Sequence, residues 1–254
     1  MDMGEVARST LTIGRLAIDV LDFPGALRRI IALAREGRSA YIVTPNADHV
    51  VRAETDDQFV AITQGADVVV ADGMPLIWAS HFLGQKLPQR VTGADLLPAI
   101  CAEAALNDLT VYLMGGLPGE AEAARMRLES LYPGLRIVGC YCPPFGFEHD
   151  EALCLQIVRA INALRPDFVF VGVGSPKQEL WIARWRGELR CGVLLGVGIA
   201  IAFVAGTVRR APRIMQVTGT EWLFRLCSEP RRLILRYVHD LKFVAIVWRQ
   251  VRRG

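Results

Sequence analysis

The chain has 254 residues, 52% of them hydrophobic and 22% charged, enough to bury a sizeable core in one large α/β domain or a domain with an appendage. Six scattered cysteines contain no C-x-x-C pair, and His49, His81, His149 and His239 show no H-x-x-x-H or H-E-x-x-H spacing, so neither a disulfide framework nor a metal site is argued by the sequence. The net charge of +3 conceals two opposite charges: residues 209–254 carry eleven Lys or Arg against three acids, which leaves the preceding body acidic.

Residues 1–10 hold no apolar run, which argues against a secretory signal and, with the cysteine usage, favours a reducing cytosol. Helical spacing first falls over 23–35, and short apolar runs then recur at 40–44 (AYIVT), 67–71 (DVVVA), 109–114 (LTVYLM), 136–140 (RIVGC), 167–173 (DFVFVGV) and 191–197 (CGVLLGV). Each run predicts a buried strand. Stretches at 48–64, 120–131 and 151–164 return an apolar residue every three or four positions and predict helices between them. This alternation predicts an α/β, Rossmann-like parallel sheet with helices on both faces and ligands at the carboxyl ends of its strands. Residues 191–208 run for 18 positions without a charge, near the lower limit for a membrane span, but Gly192, Gly196, Gly198 and Gly206 interrupt them. The alternation stops near Gly206, which predicts a core over 1–206 and a basic, amphipathic helical appendage over 207–254.

The unusual sequences follow the strands. Gly115–Gly119 (GGLPG) ends a strand and opens a helix, so its glycines allow close backbone approach and its N–H groups are positioned for an anion such as a diphosphate; the same loop also reads as a tight connection only. No G-x-G-x-x-G fingerprint accompanies it, which weighs against NAD or FAD. Asp72 closes the strand at 67–71, where its carboxylate would serve either as a base for a sugar hydroxyl or as a cap for the helix entered at Pro75. Lys177, Gln178 and Glu179 open the helix after 167–173 and would hold a ligand's hydroxyls or phosphates, or form a solvated first turn. In the tail, Ile234, Tyr237 or Val238, Leu241, Val244 and Trp248 recur at helical spacing, while Arg232 and Arg236 share another face. Arginines interleaved with Trp222, Phe224, Tyr237, Phe243 and Trp248 suit an anionic membrane surface, and the apolar run at 243–248 suits docking on the body or deeper insertion.

Taken together, the ordered motifs TPNADHVV (44–51), ADGMPLIW (71–78), RVTGADL (90–96), MGGLPGEAEAA (114–124), PPFGF (143–147), RPDFVFVGVGSPKQELWI (165–182) and EWLFRLCSEPRRLILRY (221–237) resemble the WecG/TagA/CpsF family of bacterial glycosyltransferases, glycosyltransferase family 26. The resemblance implies an inverting, metal-independent transfer of a sugar from a UDP-sugar to a polyprenyl-diphosphate-linked sugar in exopolysaccharide or cell-wall glycopolymer synthesis. Under it no cofactor is expected beyond the UDP-sugar co-substrate, and the enzyme would sit peripherally on the cytoplasmic face of the cell membrane. Asp72 matches the family's catalytic aspartate. Thr44, Asn46, Arg90 and Gln178 match positions lining donor and acceptor; Gly115, Gly116, Lys177 and Tyr141 would lie near the nucleotide. The tail's Arg210, Arg213, Arg225 and Arg232 are candidates to stabilise the leaving UDP. One departure stands out: Ala202 occupies a position where the family commonly has an acid. The competing readings are a nucleotide-cofactor oxidoreductase or methyltransferase and a non-catalytic membrane-associated scaffold. A homo-oligomer is left open, and nucleic-acid binding is not expected from an acidic body without a recognised module.

Overall fold

The computed structural model describes residues 8–228, 230, 234 and 238–253; Arg232, Arg236 and Tyr237 therefore lie outside the described residues. A hairpin, β1 (Thr10–Ile13) and β2 (Leu16–Asp19), comes first. Its apolar alternation on either side of Gly14-Arg15 sets the register Ile13↔Leu16 across a two-residue turn, with Gly14 at φ 60°. It was not among the expected elements. Asp22 then caps α1 (Phe23–Glu36) by accepting the Gly25 N–H at 2.7 Å, and Gly37 ends it in the left-handed conformation at φ 65°.

The chain continues through β3 (Ala40–Val43), α2 (Ala47–Ala53), α3 (Asp57–Gln64), β4 (Val68–Val69), α4 (Met74–Phe82), α5 (Gly93–Leu106), β5 (Thr110–Gly115), α6 (Glu120–Leu131) and β6 (Arg136–Tyr141). A 3₁₀ turn at Phe147–His149 leads into α7 (Glu151–Leu164), β7 (Phe168–Gly172), α8 (Lys177–Trp185), β8 (Val193–Gly196) and α9 (Ala200–Ala205). The tail forms α10 (Arg213–Val217), α11 (Glu221–Ser228) and a last helix, α12 (Lys242–Val251). The single helix expected over 48–64 is two helices, because Asp56 accepts the Phe59 N–H at 2.9 Å and restarts the chain as α3. The uncharged stretch at 191–208 is a strand followed by a short helix, and no described helix is long and apolar enough to cross a membrane.

Six strands form one parallel sheet in the order β4-β3-β8-β7-β5-β6, so every carboxyl end opens on the same edge. One face is covered by the hairpin with α2, α3, α4, α7, α8 and the inner side of α12; the other by α1, α5, α6 and α9. At the edge of the sheet β4 is only two residues long, and Asp19 of the hairpin accepts the Val69 N–H at 2.7 Å while pairing with Arg8. That contact satisfies a donor the short strand would leave open and fixes the position from which the next loop departs. Near the centre, a side chain at Gly115 (φ 123°) would place its Cβ 2.5 Å from the Gly172 carbonyl carbon, so glycine is required where β5 and β7 converge.

Candidate active site

Asp72 follows β4, with its N–H donating to the Pro45 carbonyl at 2.7 Å; one residue earlier, the Ala71 carbonyl accepts from Val91 at 2.8 Å. These two bonds lay the loops after β3 and before α5 alongside the end of β4, which brings Asn46 and Arg90 toward Asp72. The carboxylate does not cap α4, whose N-cap is Gly73 at φ 114° with no side-chain cap bond. Burial raises the Asp72 carboxyl from its ordinary 3.8 to about 6; Arg90 and His49 pull it down, and Glu221 and Asp95 push it back up. A carboxylic acid poised near 6 is a competent proton acceptor at neutral pH.

Two polar groups flank it. In the first, Asn46 caps α2 by accepting the His49 N–H at 3.3 Å, and His49 Nδ1 accepts the Asn46 N–H at 3.1 Å. Nδ1 is therefore the acceptor nitrogen, and Nε2 faces Ser175 Oγ at 2.9 Å and Glu179 Oε1 at 3.6 Å. Burial alone would raise the Glu179 carboxyl, but the His49 hydrogen bond, with Gln178 and the local backbone, brings it below its ordinary value. In the second, Arg90 donates to Glu221 Oε2 at 3.0 Å and lies 3.6 Å from Asp95 Oδ2, while Arg210 donates to Asp95 Oδ1 at 2.7 Å and to Glu221 Oε1 at 3.4 Å. Two arginines and two acids, drawn from the body and the tail, thus close a ring beside Asp72.

Of the residues expected from sequence, Thr44, Asn46, Asp72, Arg90, Gln178 and Arg210 gather at the ends of β4, β3 and β8. Gln178 is buried and spends its polar atoms internally, accepting the Gly198 N–H at 3.0 Å and donating to Glu179 at 2.7 Å. It braces two loops of the site. Lys177 pairs with Glu148 at 2.6 Å and lies 4.1 Å from the centre of the exposed Phe145 ring. The glycine loop offers fewer free donors than expected: Gly116 N–H donates to the Gly172 carbonyl at 3.1 Å and Leu117 N–H to Glu120 at 2.8 Å. An anion there would also face the Glu120 carboxylate. Tyr141 ends β6, five strand positions from β4, which at about 4.8 Å per strand separates the two sheet edges by roughly 24 Å. Arg213 and Arg225 make no ion pair among the described residues, and Arg232 is not described.

His49, Asp95, Glu221 and Glu120 were not singled out from sequence as site residues, whereas Glu179 was expected to hold a ligand or form a solvated first turn and is instead buried against His49 and Gln178. The pairing of Asn46 with His49 three residues on was readable as a reciprocal cap, and Glu221 is one of only three acids in a strongly basic tail. Ala202 is buried in α9, which packs on α6; Glu120, at the start of α6, is also buried and accepts the Thr207 hydroxyl, whose oxygen lies 3.3 Å from the Ala202 carbonyl. A carboxylate therefore stands beside the helix that lacks the expected one. Elsewhere, Asp48, His239 and Asp240 bring ligand atoms within 4.8 Å of one another, joining the first turn of α2 to the tail.

A parallel α/β sheet that gathers a titratable carboxylate, paired arginines and a buried histidine at its carboxyl edge has the layout of an α/β enzyme whose ligands bind at that edge. The model of the Glycosyl transferase WecG/TagA/CpsF family matches residues 11–254, and the chain belongs to that family. It is a glycosyltransferase. Similar proteins include the N-acetylglucosaminyldiphosphoundecaprenol N-acetyl-beta-D-mannosaminyltransferases of Staphylococcus aureus strains MW2 and NCTC 8325, each 32% identical over 196 residues, covering 76% of this chain and 74% of the relative.

Proposed function

We propose that the enzyme transfers a sugar from a UDP-sugar to a polyprenyl-diphosphate-linked N-acetylglucosamine during cell-wall glycopolymer or exopolysaccharide synthesis, with inversion and without a metal. The names of the relatives supply the acceptor class and point to N-acetylmannosamine as the sugar to test first. The observation that carries the reading is Asp72, a carboxyl raised to about 6 at the end of β4 and set beside Arg90. Asp72 takes the proton from the acceptor hydroxyl as that oxygen attacks the anomeric carbon from the face opposite UDP. Arg90 and Arg210 stabilise the negative charge gathering on the departing diphosphate, the task a metal performs elsewhere. Asn46 and Thr44 lie where they can contact the acceptor or donor sugar. The basic tail holds the site against the cytoplasmic face of the membrane that carries the lipid acceptor.

The test is a panel of UDP-sugars against a synthetic polyprenyl-diphosphate N-acetylglucosamine, with product linkage read by NMR. One donor turning over with an inverted anomeric centre, unchanged by EDTA, is the expected result. Loss of turnover on chelation, restored by a divalent cation, would overturn the metal-independent mechanism and direct attention to Asp48, His239 and Asp240. Retention of configuration would remove the single-displacement role of Asp72.

A further inference from the structure

The two arginines assigned to the leaving group are already bridged by a carboxylate. Glu221, the first residue of α11, accepts from Arg90 through Oε2 at 3.0 Å and from Arg210 through Oε1 at 3.4 Å, and its side chain is only 15% exposed. Asp95 bridges the same pair, but the two acids differ in how firmly they are held. Asp95 belongs to the first turn of α5, accepts the Thr92 hydroxyl at 2.8 Å, and has its own N–H capped by Thr92 at 3.0 Å. Glu221 sits on a tail helix with no fully buried residue, and among the described residues its two oxygens bond to these arginines alone. The four side chains sum to zero charge, and Asp72 adds a fifth ionisable group on the acidic side. An incoming diphosphate therefore meets no net positive charge while both carboxylates remain.

We propose that Glu221 is a stand-in for the diphosphate: its carboxylate occupies the Arg90–Arg210 fork in the resting enzyme, and a nucleoside diphosphate binds by displacing it. Planar guanidinium forks pair equally well with carboxylate and phosphate, so the exchange conserves the hydrogen bonds of both arginines. It also replaces one negative charge by two or three. Asp95 remains to orient the arginines, and α11 shifts as Glu221 is released. The proposal deepens the donor reading given above and rests on it.

The experiment measures binding of UDP, inorganic pyrophosphate and uridine to wild type and Glu221→Gln by calorimetry. Removing the competing charge is expected to tighten UDP and pyrophosphate by about tenfold, the scale of one desolvated charge pair, and to leave uridine unchanged. The donor KM falls in parallel. Glu221→Asp, which keeps the charge but shortens its reach, is expected to fall between the two and provides the readout should Glu221→Gln fold poorly. Equal or weaker UDP binding in the variants overturns the stand-in and leaves the donor reading intact. A gain for uridine as large as that for pyrophosphate overturns it too, because the site would then have loosened generally. Absence of UDP binding to any of the proteins defeats the donor reading itself, and the stand-in with it.

Discussion

At the scale of single residues, the central fact is that Asp72 carries its proton more tightly in the folded protein than in the unfolded chain. Burial is the largest cause, and the arginine beside it offsets only part of that cost. Two consequences oppose each other. For catalysis the group must be ionised, so kcat/KM is expected to rise with pH through about 6 and to be about tenfold below its plateau at pH 5. For stability the sign is reversed. A carboxyl raised from 3.8 to about 6 favours the folded state only while protonated, and that contribution is lost as pH rises through the same window. Asp72→Asn is therefore expected to lower turnover by about 10²–10⁴-fold and to melt at a higher temperature than wild type at pH 8, with little difference at pH 4. Thermal melts at both pH values, paired with a rate assay, check this. A variant that lost activity and melted lower at pH 8 would show Asp72 to be structural.

At the scale of elements, α12 has two apolar sides with different fates. Phe243, Ile246 and Val247 are buried against α2 and the hairpin, and Gln250 joins the hairpin through the Gly14 N–H at 2.9 Å and the Thr12 carbonyl at 2.8 Å. Phe243→Ala is expected to destabilise the protein by about 3 kcal/mol, read by denaturant unfolding, because it opens a cavity where the tail meets the core. Sequence could not assign these sides. The run at 243–248 is apolar all round, so periodicity showed that the helix exists but not which side docks. The same limit explains the hairpin, whose four-residue strands flank a turn near the chain's beginning, and α4, whose nearly uniform apolarity hides its period. By contrast, all six strands of the main sheet were legible: β3, β4, β5, β7 and β8 are buried along all or nearly all of their length and read as apolar runs, and the edge strand β6 keeps a short apolar run although only Ile137 in it is fully buried. Asp72 and Asn46 stood out for a related reason: they lie in loops immediately after strands, where the fold places ligands, whereas Arg90 came only from the family resemblance. Glu221 and Asp95 did not stand out, since their role comes from ion pairs spanning 131 and 115 positions of sequence.

At the scale of the whole molecule, two fastenings of the tail to the body stand out among the described residues. One is the ion ring, through Arg210 and Glu221; the other is the inner side of α12. Truncation after Thr207 would remove both and uncover core residues, so any loss of turnover would mix instability with loss of the proposed membrane contact. The outward side of the tail separates these effects. Ile234, Val238, Leu241, Val244 and Trp248 are each more than half exposed, although each is a large apolar residue at helical spacing with the next. Such a stripe, with Arg252 lying 3.5 Å from the centre of the Trp248 ring, matches an interfacial helix whose apolar side enters the headgroup region while its arginines meet lipid phosphate. Leu241→Glu with Val244→Glu changes this stripe and neither fastening. Burying a leucine or valine contributes about 1.5–3 kcal/mol, so the double variant is expected to lose at least about tenfold in binding to anionic vesicles while its melting temperature stays unchanged. Turnover should then fall with a polyprenyl-linked acceptor presented in vesicles but not with a short, water-soluble analogue. An equal loss with both acceptors would assign the stripe to the active site rather than to the membrane. Unchanged vesicle binding would remove the membrane role assigned to this stripe.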